Sequence, residues 1–272
     1  MDAHKKIAFI GAGNMARAMI GGLISNGFPA DHIWASSPNV QKHEKIKSKF
    51  SIHLTADNIE AAKHADIIVF AVKPWVVETV CTEIKKIIQE KNPLLISLVT
   101  GIKTTSIIHW ISHSHCALIR TMPNIASAVG AGATGLFANP HTTSDQKDFA
   151  ESLFRSVGAA VWLQNEDQLD VITAVSGSGP AYLFYIFEAM QRAAESLGLS
   201  TEQAKLLVAQ TATGAAKMVM ETDESFEQLR RLVTAEKGTT AAAIEVFENH
   251  DTQNIVKKAI EAAFNRAKEL AH

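Results

Sequence analysis

The sequence has only two cysteines, Cys81 and Cys116, in 272 residues. They are too few to staple a fold and lack the CxxC spacing of a structural metal site, so a reducing compartment is the natural setting. An excess of one charge is missing too: 26 basic and 28 acidic side chains leave a formal net charge of −2 at pH 7. With a pI near 6.6 and no Lys/Arg run, the chain has no field to gather phosphates, which disfavours nucleic acid or a membrane surface as partner. Long apolar runs are absent. Ile7–Ile10 is shorter than the ~7–15 residues of a signal-peptide core, and residues 67–72 and 94–99 fall short of the ~18 that a membrane helix needs. The expected protein is unexported and cytoplasmic. There is no internal repeat, and 47% hydrophobic with 20% charged residues leaves no room for an extended disordered or collagen-like segment.

From Lys6 to about Val161, short β-branched runs alternate with amphipathic stretches. Strands are expected at Ile7–Ile10, His32–Ala35, Ile67–Val72, Leu94–Leu98, Ala117–Arg120, Gly132–Phe137 and Ala159–Trp162. Helical period marks Ala16–Asn26, Val40–Lys49 and Val76–Glu90. Near-continuous apolar strands alternating with helices imply a parallel sheet covered on both faces, an α/β doubly wound Rossmann-type domain. From Gln168 the text is almost wholly helical, over Ala181–Leu197, Thr201–Met220, Glu224–Leu232 and a tail from Thr239, with Ser200 as an N-cap. We place the division at residues 1–164 for dinucleotide binding and 165–272 for an all-α domain. That second part is rich in alanine at helical spacing (Ala189, Ala193, Ala209, Ala212, Ala216), which allows close helix approach within or between subunits.

Directly after the first strand stands Gly11-Ala12-Gly13-Asn14-Met15-Ala16, a G-x-G-x-x-A turn opening a helix. Gly11 permits the tight turn, Gly13 lets a pyrophosphate approach the backbone, and Ala16 allows close helix–strand packing. An acidic residue at the end of the second strand would accept from a ribose 2′-hydroxyl and repel a 2′-phosphate. Here Trp34-Ala35-Ser36-Ser37-Pro38-Asn39 offers two hydroxyls and no carboxylate, with Lys42 and His43 following. The expected coenzyme is NADP(H), with NAD(H) as the alternative. Ala71-Val72-Lys73-Pro74 and Thr100-Gly101 end two further strands at the same crevice. Because Pro74 forces extended geometry at Lys73, backbone contacts to nicotinamide are expected there.

Several stretches together resemble the pyrroline-5-carboxylate reductase family: the glycine turn, Ala71–Pro74, Arg120-Thr121-Met122-Pro123-Asn124, Ser176-Gly177-Ser178-Gly179-Pro180-Ala181-Tyr182, and Val233 to Thr240. The resemblance runs from the first strand to the last helix. It implies an oxidoreductase that reduces a cyclic imine to proline as the last step of proline biosynthesis. It also implies a helical dimerisation domain, a homodimer at least, and assembly into a larger ring such as a decamer of five dimers. Carried over by position, Gly11, Ala12, Gly13, Asn14, Met15, Ser36, Ser37, Asn58, Ala71, Val72, Lys73 and Pro74 resemble coenzyme contacts. Gly238, Thr239 and Thr240 resemble the backbone cradle of the substrate carboxylate, and the Thr240 hydroxyl the catalytic group that hydrogen-bonds the ring nitrogen. Asp223 resembles an acidic residue near the substrate amine, with a solvated helix cap as the alternative role.

One departure stands out. The family usually places Ser, then Pro or Lys, then two glycines before the threonines, whereas this chain has Ala235-Glu236-Lys237-Gly238. A missing serine hydroxyl removes one carboxylate donor, so weaker substrate binding is expected. A hydroxyacid dehydrogenase of similar plan would want a lysine in Gly179–Met190, where there is none. A non-catalytic nucleotide-binding relative would lose the substrate loop, and Gly238-Thr239-Thr240 argues against that. His109, His113 and His115 have no matching carboxylate motif and read as surface residues, with no metal expected.

Overall fold

The computed structural model describes residues 4–39 and 46–270. Eight strands form one sheet: β1 (Ile7–Ile10), β2 (Ile33–Ser36), β3 (His53–Thr55), β4 (Ile67–Phe70), β5 (Leu94–Ser97), β6 (Leu118–Met122), β7 (Gly132–Ala138) and β8 (Gly158–Trp162). Their order is β3-β2-β1-β4-β5-β6-β7-β8. The chain thus winds outward in one direction to β3 and in the other from β4, and the switch point lies between β1 and β4, where Ile7 pairs with Ile67 and Ile10 with Phe70. In such sheets ligands bind at the carboxyl ends of the strands flanking that switch.

β1, β4 and β5 are buried along their whole length, as strands covered on both faces must be. Alternate residues serve the two faces. Ile7, Phe9, Ile33 and Val69 pack with Met19, Ile20 and Leu23 of α1 (Asn14–Ser25) and Leu153 of α5 (Ser144–Arg155). Ala8, Ile10, Ile68 and Phe70 pack with Val80, Ile84 and Ile88 of α3 (Val77–Lys91) and Ile107 of α4 (Thr104–Ile111). A short helix α2 (Asn58–Lys63) is capped by the Asp57 carboxylate, which accepts from the backbone N–H groups of Ile59 and Glu60.

The expected all-parallel sheet needs one correction: β7 runs antiparallel to β6. Only residues 123–131 join the two, fewer than the dozen or more that a parallel crossover requires. β2 also begins one residue later than expected, because a 3-10 turn takes Ala30–His32. Residues 40–45 of the expected helix Val40–Lys49 lie outside the described residues.

The chain falls into two compact units, one running to Pro180 and including the C-terminal stretch from Ala263, the other Ala181–Ala262. Helices α6 (Gln168–Ile172), α7 (Gly179–Ser196), α8 (Thr201–Glu221), α9 (Phe226–Leu232), α10 (Thr239–Asn249) and α11 (Thr252–Leu270) follow the sheet. Ser200 caps α8 and Ser225 caps α9, each in a reciprocal box with the Gln three residues on, which satisfies the orphan N–H groups of a helix start. The expected helix from Thr239 to the end is interrupted, with Asp251 in the left-handed region at φ 51°. α7 has no buried residue, and Leu183, Phe184, Tyr185, Leu206 and Phe226 of the helices are all more than half exposed.

Candidate functional site

The two glycines of the turn do different work. Gly11 has φ +103°, and a Cβ there would sit 2.6 Å from the Ala71 carbonyl oxygen and 3.0 Å from Val72 Cγ1. Its N–H donates to Ser36 O at 3.1 Å, while Ala71 N–H donates to Ile10 O at 2.8 Å. The ends of β1, β2 and β4 are therefore laced together through a residue that must be glycine. Gly13 has ordinary extended backbone, φ −74° and ψ −173°, as the N-cap of α1. A Cβ on Gly13 would meet nothing within 4 Å. Neither the backbone nor the packing of this chain requires glycine at 13, whereas a phosphate approaching the helix N-terminus does. Ala12 and Ala16 are buried beneath the turn, Met15 is half-buried and Asn14 exposed. Asn14 Oδ1 accepts from the Arg17 guanidinium.

The second rim of the crevice is Ala71–Pro74. Lys73 is extended at φ −71° and ψ 149°, as the residue before proline should be, and its side chain is exposed while Ala71, Val72 and Pro74 are half-buried. Trp75 beside it is 79% exposed.

At the end of β2, Ser36 is fully buried. Its hydroxyl donates to Asn58 Oδ1 at 2.7 Å, and Asn58 Nδ2 donates to Glu83 Oε2 at 2.7 Å. Ser36 is thus committed to Asn58, and its side chain has no surface to offer a ligand. Ser37 is also buried, its N–H bonded to Thr55 O at 3.0 Å and its Oγ accepting from Asn39 N–H at 3.3 Å. Lys42 and His43 lie outside the described residues. Glu83 escaped the sequence reading because it reaches this corner from α3, and no local pattern marks a helical glutamate that folds back on a distant asparagine.

Beyond β6 the RTMPN stretch is tied to the segment preceding α7. Arg120, 4% exposed, pairs with Glu166 Oε1 at 3.0 Å and faces Asp170 Oδ1 at 4.0 Å. Glu166 also accepts from the Thr104 N–H and hydroxyl, both at 2.7 Å. Asn124 Nδ2 donates to Ser176 O at 2.9 Å, while its Oδ1 accepts from Ala126 and Ala133 N–H at 3.2 and 3.3 Å. Thr173–Gly177 forms a π-helical turn, a widened turn frequent at functional sites. A Cβ on Gly177 would lie 2.7 Å from Met122 Cε, so the glycine lets the turn sit against β6.

In the helical unit, Gly238 is the N-cap of α10 with no side-chain cap. The first-turn N–H groups and the positive end of the helix dipole make this an anion-attracting terminus. Thr239 is exposed and Thr240 half-buried in that first turn, while Asp223 is exposed between α8 and α9. The turn before it closes through Gly238 N–H donating to Ala235 O at 3.0 Å. Lys237 lies at φ +60°, the left-handed region where a side chain is strained. The lysine therefore occupies a position whose backbone suits the glycine expected there.

The histidines do not converge. His109 is exposed on α4, His113 Nε2 meets Asn92 Oδ1 at 3.1 Å, and His115 packs edge-on against His141 at 5.0 Å. Among the described residues no group of three or more His, Cys, Asp or Glu could hold a metal ion, and no helix is long and apolar enough to cross a membrane.

Comparison with known proteins places this geometry. Residues 166–270 match the family description pyrroline-5-carboxylate reductase dimerisation, and residues 6–101 match NADP oxidoreductase coenzyme F420-dependent. The chain is 42% identical over 268 residues to pyrroline-5-carboxylate reductase of Vibrio alginolyticus, covering 98% of each. It is similarly 42% identical to that of Pseudomonas aeruginosa over 98% of this chain and 97% of the other. Among solved structures, the Coxiella burnetii pyrroline-5-carboxylate reductase superposes with TM-score 0.93 at 47% identity, covering 98% of this chain and 99% of that one. The Plasmodium falciparum pyrroline carboxylate reductase with NADP bound gives TM-score 0.88 at 29% identity over 99% of both. With a Rossmann-type sheet, a helical dimerisation segment and full-length likeness at this identity, the chain belongs to the pyrroline-5-carboxylate reductase family.

Proposed function

We propose that this chain reduces L-1-pyrroline-5-carboxylate to L-proline, with NADP(H) preferred over NAD(H). The observation that carries the reading is Gly13, a glycine that nothing in the chain itself demands, at a helix N-terminus beside the sheet's switch point. The reduction of the C=N bond draws its hydride from the dihydronicotinamide. The chain's own part is to bind, orient and exclude water. Backbone N–H groups at Gly13 to Met15 hold the pyrophosphate, and the backbone of Ala71–Pro74 lines the nicotinamide rim. Ser37 and Asn58 would contact the adenine ribose, and the absence of a carboxylate at the end of β2 favours a 2′-phosphate. The N–H groups of Gly238, Thr239 and Thr240 receive the substrate carboxylate, and the Thr240 hydroxyl orients the ring nitrogen, which takes up a proton as the imine is reduced. Asp223 stands near that amine, and Ala235 marks the missing hydroxyl donor.

The exposed apolar faces of α7 and α8 favour a homodimer at least, which a decameric ring of dimers would extend. The division at 164/165 is supported by β8 ending at Trp162 and the dimerisation match starting at 166. A cytoplasmic location agrees with the two unpaired, buried cysteines.

Steady-state oxidation of NADPH, and separately NADH, with pyrroline-5-carboxylate tests the reading. Turnover should be faster with NADPH. Thr240→Ala should lower kcat/KM by about tenfold or more, the loss of one hydrogen bond to a charged group. Binding of NADPH without reduction of the imine would refute the reductase and leave a nucleotide-binding protein.

A further inference from the structure

We propose that Glu83 is a positioning residue for coenzyme selection, acting by fixing the orientation of the Asn58 amide. This rests on the dinucleotide reading above. Three side chains from three elements form one chain of hydrogen bonds: Ser36 at the end of β2, Asn58 at the first position of α2 and Glu83 on α3, with both links 2.7 Å long. An ionised carboxylate only accepts, an amide has one accepting and one donating end, and a hydroxyl does either. Ser36 would therefore satisfy Asn58 in both amide orientations, and Glu83 would satisfy it in one. With Nδ2 drawn to Glu83, Oδ1 falls to Ser36, and the second Nδ2 hydrogen is left for a ribose oxygen.

The charge has its own consequence. Dinucleotide folds usually discriminate a 2′-hydroxyl from a 2′-phosphate with an acidic residue at the tip of the second strand, and here that tip carries Ser36, Ser37 and Pro38. Glu83 supplies the missing carboxylate from α3, one side chain removed. It aligns Asn58 for both coenzymes while its charge holds down the advantage of the phosphorylated one.

Fluorescence titration of the full-length protein with NADPH and NADH at low salt, together with thermal unfolding, tests this. Glu83→Ala removes both the acceptor and the charge and should weaken NADH by about tenfold and NADPH by about threefold, the first being the order expected when a hydrogen bond to a charged group is lost. Glu83→Gln keeps an acceptor without the charge. It should restore NADH affinity to within about twofold of wild type and raise the NADPH:NADH affinity ratio by about threefold, a gain that shrinks as salt is added. Unchanged Kd values in both variants would overturn the role. So would equal losses for both coenzymes that track a fall in Tm without rescue by glutamine, because that pattern marks a structural contact. Wild-type protein that binds neither dinucleotide would overturn the dinucleotide reading itself, and this role with it.

Discussion

Substituting alanine at the two glycines of the turn should give opposite phenotypes. At Gly11 the new Cβ would lie 2.6 Å from a backbone oxygen with φ at +103°. Left-handed strain of about 1–2 kcal/mol and overpacking of about 1–3 kcal/mol together destabilise the fold by roughly 2–5 kcal/mol, or roughly 5–15 °C in Tm for a chain of this size. At Gly13 the backbone is extended and no atom of the chain lies within 4 Å of the new Cβ. The lower entropy of the unfolded chain favours alanine by about 0.4–1 kcal/mol, and the poorer N-cap disfavours it by a similar amount, so Tm should move by less than about 2 °C. NADPH affinity, however, should fall by about 10–100-fold, the loss expected when a methyl group displaces a phosphate from charge-assisted hydrogen bonds. Thermal unfolding and fluorescence titration on both variants separate the effects. If Gly13→Ala bound NADPH like wild type, the turn would not be the pyrophosphate site and the assignment of the crevice would fail.

Ala235→Ser should lower KM for the imine by about tenfold with little change in kcat, because the added hydroxyl supplies a carboxylate donor; an unchanged KM would place the substrate carboxylate elsewhere. Lys237→Gly should raise Tm by about 1–3 °C, since relief of left-handed strain slightly exceeds the entropy cost of glycine, and a lower Tm would show that the lysine side chain supports the turn. Arg120→Met, which leaves Glu166 and Asp170 without the cation they share, should destabilise by about 3–5 kcal/mol in urea unfolding. Adding Glu166→Gln and Asp170→Asn should recover much of that loss, and no recovery would refute the electrostatic cause. Burial, with Cys116 and Glu78 adding to it, pushes the Cys81 thiol from its usual 9.0 up to about 12. The unfolded chain therefore ionises this thiol first. Its contribution to stability is intact below pH 9 and is lost as pH rises from 9 toward 12, by about 1.4 kcal/mol at pH 10. Stability measured from pH 8 to 10 should fall less steeply in Cys81→Ala than in wild type.

The elements that were legible in the sequence are those specified locally. β1 and the turn after it follow from four apolar residues meeting a glycine pattern, and the helix cap at Ser200 follows from a serine at the start of a helical stretch, whereas the cap at Ser225 falls inside the expected helix Glu224–Leu232. What escaped depends on partners distant in sequence. The antiparallel β7 follows from a connector length that matters only once β6 and β7 are neighbours. The burial of Ser36 depends on Asn58, and the orientation of Asn58 on Glu83. The strained Lys237 and the break at Asp251 are backbone conformations that helix periodicity does not register. Resemblance carried the substrate loop further than composition or spacing could, since a glycine-led helix start followed by two threonines is chemically unspecific.

Deuterium transfer tests the central claim most directly. Protein supplied with pyrroline-5-carboxylate and NADPH carrying deuterium in the transferable position of C4 should yield proline one mass unit heavier, with the label on the former imine carbon and the nitrogen proton from solvent. Unlabelled proline, or coenzyme oxidised without proline formed, would contradict hydride reduction of this imine by this chain.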